Sequence, residues 1–233
     1  MKPTSAICFA ADVKQSKRIE KEHLISILKE CQQTINKQFE QDLLVPFAIR
    51  NGDELIGVMK NFSHAYPLIN QIFQLSRLHR CPFYLGIGIG ELETDEINVH
   101  TMNGSAVLHA FEARDKQLKK KSEQAKIWND VETETSFYFS SELVPHEPLN
   151  ALLNVIVTTK RKWTDKQKQV IELIEQFPEW TYEKIGKHLG YKSPISTVSY
   201  LLKRADYQKI KAVEDSFTQL LVLYENLLNR RER

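Results

Sequence analysis

Cysteine is scarce in this sequence. Cys8, Cys31 and Cys81 are odd in number, lack C-x-x-C spacing and sit in apolar patterns, which excludes a disulfide framework and points to reduced core thiols. The 7 histidines are scattered without the spacing of zinc ligands, so a zinc enzyme is not expected. No apolar run approaches the roughly 20 residues that a spanning helix needs, and the apolar stretch after Met1-Lys2-Pro3-Thr4 is too short for a signal peptide. The expectation is a cytoplasmic protein with no membrane partner. Neither sign of charge dominates, with 32 Lys and Arg against 30 Asp and Glu.

The balance conceals a segregation. Residues 1–159 carry 17 basic and 20 acidic side chains, residues 160–211 carry 12 and 6, and residues 212–233 carry 3 and 4. Only the middle block, at a net +6, is basic enough to suggest a polyanion partner. A chain of 233 residues has room for two domains. The Lys160-Arg161-Lys162 run marks the boundary, giving a domain over 1–158 and another over 159–233.

The first part reads as alternating strands and helices. Ser5 to Ala11 is a strand ending at Asp12, and Leu24, Ile27, Leu28, Cys31, Ile35 and Phe39 form one stripe of a helix. Ser16 can cap that helix, with Lys17 and Arg18 beside its free N–H groups, a favourable place for phosphate. Two apolar strands then flank Asn51-Gly52, a two-residue turn whose residues tolerate positive φ, with Asp53 and Glu54 following at the tip. A helix beginning near His64 to Tyr66, with Pro67 in its first turn, precedes a strand with alternate glycines, Gly86, Gly88 and Gly90. A turn-rich segment to Gly104 leads into a helix over about Ser105 to Lys121, with Arg114 late on it and Lys119-Lys120-Lys121 as a solvated end. Ser136 to Ser140 is a last strand. This order suggests an α+β sandwich, a mainly antiparallel sheet with helices on one face.

In a β-α-β-β arrangement the first strand lies beside the hairpin, so Asp12 and Asp53 can approach each other. Two close carboxylates repel unless a cation sits between them, and Mg²⁺ (or Mn²⁺) carrying substrate phosphates would serve. Such a site suits phosphoryl or nucleotidyl transfer.

Asp12, the Asn51-Gly52-Asp53-Glu54-Leu55 hairpin and Gly86-Ile87-Gly88-Ile89-Gly90 resemble the palm-like domains of GGDEF diguanylate cyclases and class III nucleotidyl cyclases. The whole order looks closer still to the SatD family of bacterial proteins. It runs from Asp12-Val13 and Ser16-Lys17-Arg18 through Gly52-Asp53-Glu54, Gly86 to Glu91 and Asn103-Gly104-Ser105-Ala106 to Ala113-Arg114, then a helix-turn-helix. The resemblance implies a ferredoxin-like, nucleotidyl-cyclase-like sandwich, with Asp12 and Asp53 as metal ligands, Gly52 against the nucleotide and Glu54 as a catalytic or supporting acid. Asn51 replaces the first glycine of the GGDEF signature, and no set of base-reading residues stands out.

The basic block is all helical in pattern. Thr164-Asp165-Lys166-Gln167 is a capping-box start, Pro178 stops that helix, Thr181 caps the next, and Ser193-Pro194 begins another. Thr181 to Gly190 followed by Pro194 to Arg204 has helix-turn-helix spacing, with Ile185, Leu189, Val198 and Leu202 as its core. Ser196, Thr197, Tyr200, Lys203 and Arg204 would face outward, where hydroxyls and cations meet the phosphates and base edges of double-stranded DNA. The last helix carries Ile210, Val213, Phe217, Leu220, Tyr224 and Leu227 at steps of three and four, a seam that Leu221 and Leu228 widen, so packing on its own domain competes with dimerisation and the reading leans towards a homodimer. The sequence therefore predicts a DNA-binding regulator whose front domain binds a nucleotide or metal-phosphate ligand. The alternative is a Mg²⁺-dependent nucleotidyl cyclase or nucleotidyltransferase controlled by the helical domain.

Overall fold

A computed structural model of the chain describes residues 3–93, 98–99, 101–129 and 131–231. Part of the turn-rich segment before Gly104, namely 94–97 and 100, lies outside the described residues. The chain divides into two compact units, one running up to Ala151 and resuming from Phe217, the other Leu152–Ser216. These units do not follow the expected cut at 158 and 159. Their limits fall inside the helices Glu147–Arg161 and Tyr207–Arg231.

In the first unit, β1 (Thr4–Val13) is the central strand, buried along all but its first residue. It pairs antiparallel with β3 (Glu54–Met59) on one side and β4 (Phe83–Leu92) on the other. β2 (Leu43–Arg50) lies outside β3, and β5 (Ser136–Ser140) runs parallel to β4, giving a five-stranded mixed sheet in the order β2-β3-β1-β4-β5. The Asn51-Gly52 turn has both φ angles positive, +53° and +88°, as its composition requires. Because Arg50 pairs with Glu54, the loop is three residues long and includes Asp53.

Helices cover both faces of the sheet, not one. α1 (Lys21–Gln38) buries the expected stripe, and Asn36 and Gln32 on it bond the backbone carbonyl of Phe47 in β2. α2 (Ala65–Leu78) packs Phe73 against Phe137 of β5, on the face that also carries Phe9, Leu85 and Ile87. On the opposite face the alternate glycines of β4 admit α3 (Ser105–Glu112). A Cβ on Gly86 would run into the carbonyl oxygen of Ala110, and one on Gly88 into that of Ala106. Ala6, Cys8, Ala10, Ile56, Val58, Ala106 and Ala110 form the apolar core there. The alternate glycines of β4 leave one face without side chains, which permits close approach by a helix, another backbone or a ligand, and here it is a helix that approaches.

The helix expected over Ser105 to Lys121 is two elements, α3 and a π-helical stretch over Ala113–Lys119, and a break at Lys121 with φ +52° separates them from α4 (Glu123–Trp128). The cysteines are buried and free. Burial pushes the thiols of Cys8 and Cys31 up to about 12, which leaves them unreactive.

α5 (Glu147–Arg161) leads into the second unit, where α6 (Asp165–Gln176), α7 (Tyr182–His188) and α8 (Pro194–Arg204) enclose Val170, Ile171, Ile185, Val198 and Leu202. The Thr164/Gln167 capping box is formed and Thr181 caps α7, so polar side chains set both helix starts. Gly186 allows the turn to close, since a Cβ there would strike Pro194. α9 (Tyr207–Arg231) buries Tyr207, Ile210, Glu214, Phe217, Leu221, Tyr224 and Leu228. Its steps of three and four match the expected seam, but Glu214, Leu221 and Leu228 take the inner positions rather than Val213, Leu220 and Leu227. Phe217 packs against Tyr66 and Phe139 in the first unit, so that part of the stripe is covered by the chain itself. No helix among the described residues is long and apolar enough to cross a membrane.

Candidate functional site

Strand register builds the site. Asp12 pairs with Glu54 on one side and with Tyr84 on the other, and Tyr84 pairs with Ser136. Paired residues share a face, so Glu54, Asp12, Tyr84 and Ser136 form one polar row across four strands, on the α3 side. The π-helical stretch lies over this row. Its i→i+5 spacing brings residues five apart, Arg114 and Lys119, to the same side, which an α-helix would not do.

Each of these cations meets one acid of the row, and both also meet Asp115. Lys119 Nζ lies 2.8 Å from Asp12 Oδ2, and Arg114 Nη1 lies 3.4 Å from Glu54 Oε1. Arg114 also donates from Nε and Nη2 to the two oxygens of Asp115, at 2.8 and 2.7 Å, and stacks over Phe111 at 4.8 Å. Burial works against the Arg114 charge, but Asp115 and Glu54 outweigh it and hold the guanidinium above its usual range. Burial is also the largest influence on Asp12, raising its carboxyl above the usual range against the pull of Lys119, and the Asp53 charge raises it further. Glu54 Oε2 and Arg114 Nη1 are buried with no hydrogen-bond partner among the described residues.

The other expected residues are placed less centrally. Asp53 sits in the hairpin loop, where Ser16 Oγ donates to its Oδ2 at 2.9 Å. Ser16 therefore holds the hairpin and does not cap α1. The cap is Glu20, whose carboxylate accepts from the N–H groups of Glu22 and His23. Ser16–Arg18 is an isolated 3-10 turn with Lys17 and Arg18 exposed, so no helix N-terminus opens to phosphate there, and the one nearby already holds an anion. Gly52 is exposed with nothing around it, so its place in the turn accounts for it.

Lys119 was read as part of a solvated helix end. An ordinary helix from Ser105 to Lys121 would not put it beside Arg114, and only the widened turn does. Lys14 is the other residue that the pattern concealed, a buried lysine at the end of β1.

The acids expected to hold a metal ion have other partners in this structure. Among the described residues no three His, Cys, Asp or Glu side chains are grouped to hold one. Asp12 is taken by an ammonium and Asp53 by a hydroxyl. A Mg²⁺ arriving with phosphates needs only one or two carboxylates, and it would have to displace Lys119.

In the helical unit, Ser196, Tyr200, Lys203 and Arg204 are exposed on α8 and Thr197 is half-buried, while Val198 and Leu202 face the core. Ile195, 57% exposed, and Lys192 lie at the start of the same surface. The Arg204 guanidinium lies 6.0 Å from the Tyr200 ring centre. This is a helix presenting hydroxyls, an aromatic ring and cations outward from a three-helix core.

The molecule is thus an α+β protein, a five-stranded mixed sheet with helices followed by a helical region. The SatD family model matches residues 6–214, and the chain belongs to this family. No curated protein matches the chain in sequence. Among solved structures, the chain is similar to a bacterial light-regulated adenylyl cyclase, with 11% identity, a TM-score of 0.38, and 51% of this chain and 73% of that chain covered. It is also similar to the guanylyl cyclase Cya2, with 10% identity, a TM-score of 0.38, and coverage of 49% and 71%.

Proposed function

We propose that this SatD-family protein is a DNA-binding regulator whose sheet unit binds a phosphate-bearing nucleotide. One observation carries the DNA-binding half. The second helix of a compact helix-turn-helix core exposes Ser196, Tyr200, Lys203 and Arg204 together, with Thr197 beside them, which are the side-chain types that contact phosphates and base edges in the major groove. The charge of residues 160–211, 12 basic against 6 acidic, supports the same partner. In the sheet unit, Arg114 Nη1, buried above the acidic row with no hydrogen-bond partner among the described residues, supports an anionic ligand. Mg²⁺ or Mn²⁺ enters this reading only as a companion of that ligand's phosphates.

A helix-turn-helix protein commonly reads two half-sites as a dimer. Because Phe217 is covered within the chain, a second copy would use another surface than the inner stripe of α9.

The test is fluorescence anisotropy of a labelled 30-base-pair duplex titrated with the full chain and with a Lys203→Glu/Arg204→Glu variant. Binding by the wild type that falls at least tenfold in the variant supports the reading. Equal binding by both, or none by the wild type, overturns it.

A further inference from the structure

The polar row does not stop at Asp12. Its far end, Tyr84 and Ser136, opens into a cavity of about 440 Å³ walled also by Lys14, Leu118, Lys121, Ala125, Lys126 and Val131, within the roughly 300–1,000 Å³ typical of small-molecule pockets. The charged lining is three lysines and one carboxylate, Glu132.

Lys14 is the telling member. It is 7% exposed, yet its ammonium is held by the backbone carbonyls of Glu132 and Glu134, at 3.2 and 2.6 Å, and by Ser136 Oγ at 2.6 Å, with no carboxylate partner among the described residues. Buried charges are ordinarily paired. A buried ammonium held by neutral acceptors at the wall of a cavity, with the Glu132 and Glu134 charges acting on it only from beyond ion-pairing distance, adds positive charge that an entering anion would meet. Burial pushes this ammonium down to about 8, against the Glu132 and Glu134 charges, which pull it back up.

The other two lysines suit the entrance. Lys121 pairs with Glu132 and Lys126 with Glu123, but all four side chains are more than half exposed, and such surface pairs hold their partners weakly. The remaining wall mixes apolar Leu118, Ala125 and Val131 and the Tyr84 ring with polar Gln15, Asn129 and Ser136, and the Lys14 ammonium lies 4.9 Å from the Tyr84 ring centre.

We propose that this cavity is the ligand pocket of the sheet unit and that it takes a nucleoside monophosphate. The planar base lies along Tyr84 and Leu118, and the phosphate meets Lys121 and Lys126, with the charge of the Lys14 ammonium at the wall beside it. This rests on the nucleotide half of the function proposed above, and it moves the ligand from Asp53 to the other end of the row.

The test is isothermal titration of the full chain with AMP, GMP and inorganic phosphate, repeated on two variants. One reverses the exposed lysines, Lys121→Glu/Lys126→Glu; the other removes the ring, Tyr84→Leu. The expected result is saturable binding of a monophosphate by the wild type, at least tenfold weaker in the lysine variant. Tyr84→Leu should bind the nucleotide less tightly and leave inorganic phosphate unchanged. Nucleotide binding unaltered by both variants would overturn the pocket and leave a nucleotide site elsewhere. Inorganic phosphate binding as tightly as either nucleotide would overturn the assigned ligand class. No binding of any probe would overturn both the pocket and the nucleotide half of the proposed function, while DNA binding is read separately by anisotropy.

Discussion

Lys119 Nζ sits 2.8 Å from Asp12 Oδ2 across 107 residues of sequence, so the acid expected to hold a metal ion is held instead by the protein's own cation. Lys119 is one-third exposed and Asp12 largely buried, so the lysine can turn to water while the acid cannot. Removing the lysine should therefore open the acids to a divalent ion. Lys119→Ala is expected to bind Mn²⁺ about tenfold more tightly than the wild type, measured by titration against electron paramagnetic resonance. Equal affinities would show that Lys119 does not compete for the site.

Asp12→Asn should not destabilise the fold. Burial raises the Asp12 carboxyl despite Lys119, so the folded state favours the neutral form. With a folded value above the unfolded one, the stability that Asp12 contributes is full below the unfolded range, near pH 3.9, and is lost as pH rises through the raised value. At neutral pH the melting temperature of Asp12→Asn should equal or exceed that of the wild type. A fall of several degrees would mean that the Lys119 pair is a net stabiliser.

Arg114 behaves oppositely, because its partner Glu54 is buried and cannot reach water. Arg114→Met should cost about 3–5 kcal/mol by stranding a buried charge, and Arg114→Met/Glu54→Met should recover much of that in urea unfolding. A double variant as unstable as the single one would assign Arg114 a packing role rather than a charge-pairing one.

Lys14 gives a pH signature. Its folded value, about 8, lies below the unfolded range, near 10.4. Its charged form therefore weakens the fold below pH 8, and the penalty fades as pH rises through that window. Lys14→Met loses stability at every pH because the acceptors on Glu132, Glu134 and Ser136 are left unsatisfied. The wild type's advantage over this variant should widen between pH 7.5 and pH 10. An advantage constant with pH would mean that the ammonium is not undercompensated.

Much of the fold was legible because it rests on local rules. The stripe of α1, the positive-φ turn at Asn51-Gly52, the bounds of β5 and the Thr164/Gln167 box follow from periodicity and hydrogen-bonding chemistry within a few residues. The site was legible only in part. Asp12, Glu54 and Arg114 are brought together, but Lys119 depends on a π-helical widening that no spacing rule announces, and Lys14 on a cavity closed by residues more than a hundred positions away. Ser16 was misjudged because a capping side chain and a hairpin brace look alike until the partner, Asp53, is placed. In α9, leucines at adjacent positions left two registers open, and packing around Phe217 decided between them.

The claim that this protein works on DNA is tested most directly by the dependence of duplex affinity on salt. If the face of α8 with Lys192, Lys203 and Arg204 engages phosphates, log affinity should fall linearly with log salt concentration, at a slope of about −0.9 per phosphate contact. Lys203→Glu/Arg204→Glu should flatten that slope by about two such contacts. A wild-type affinity that does not change with salt, or a slope unaltered in the variant, would contradict the account.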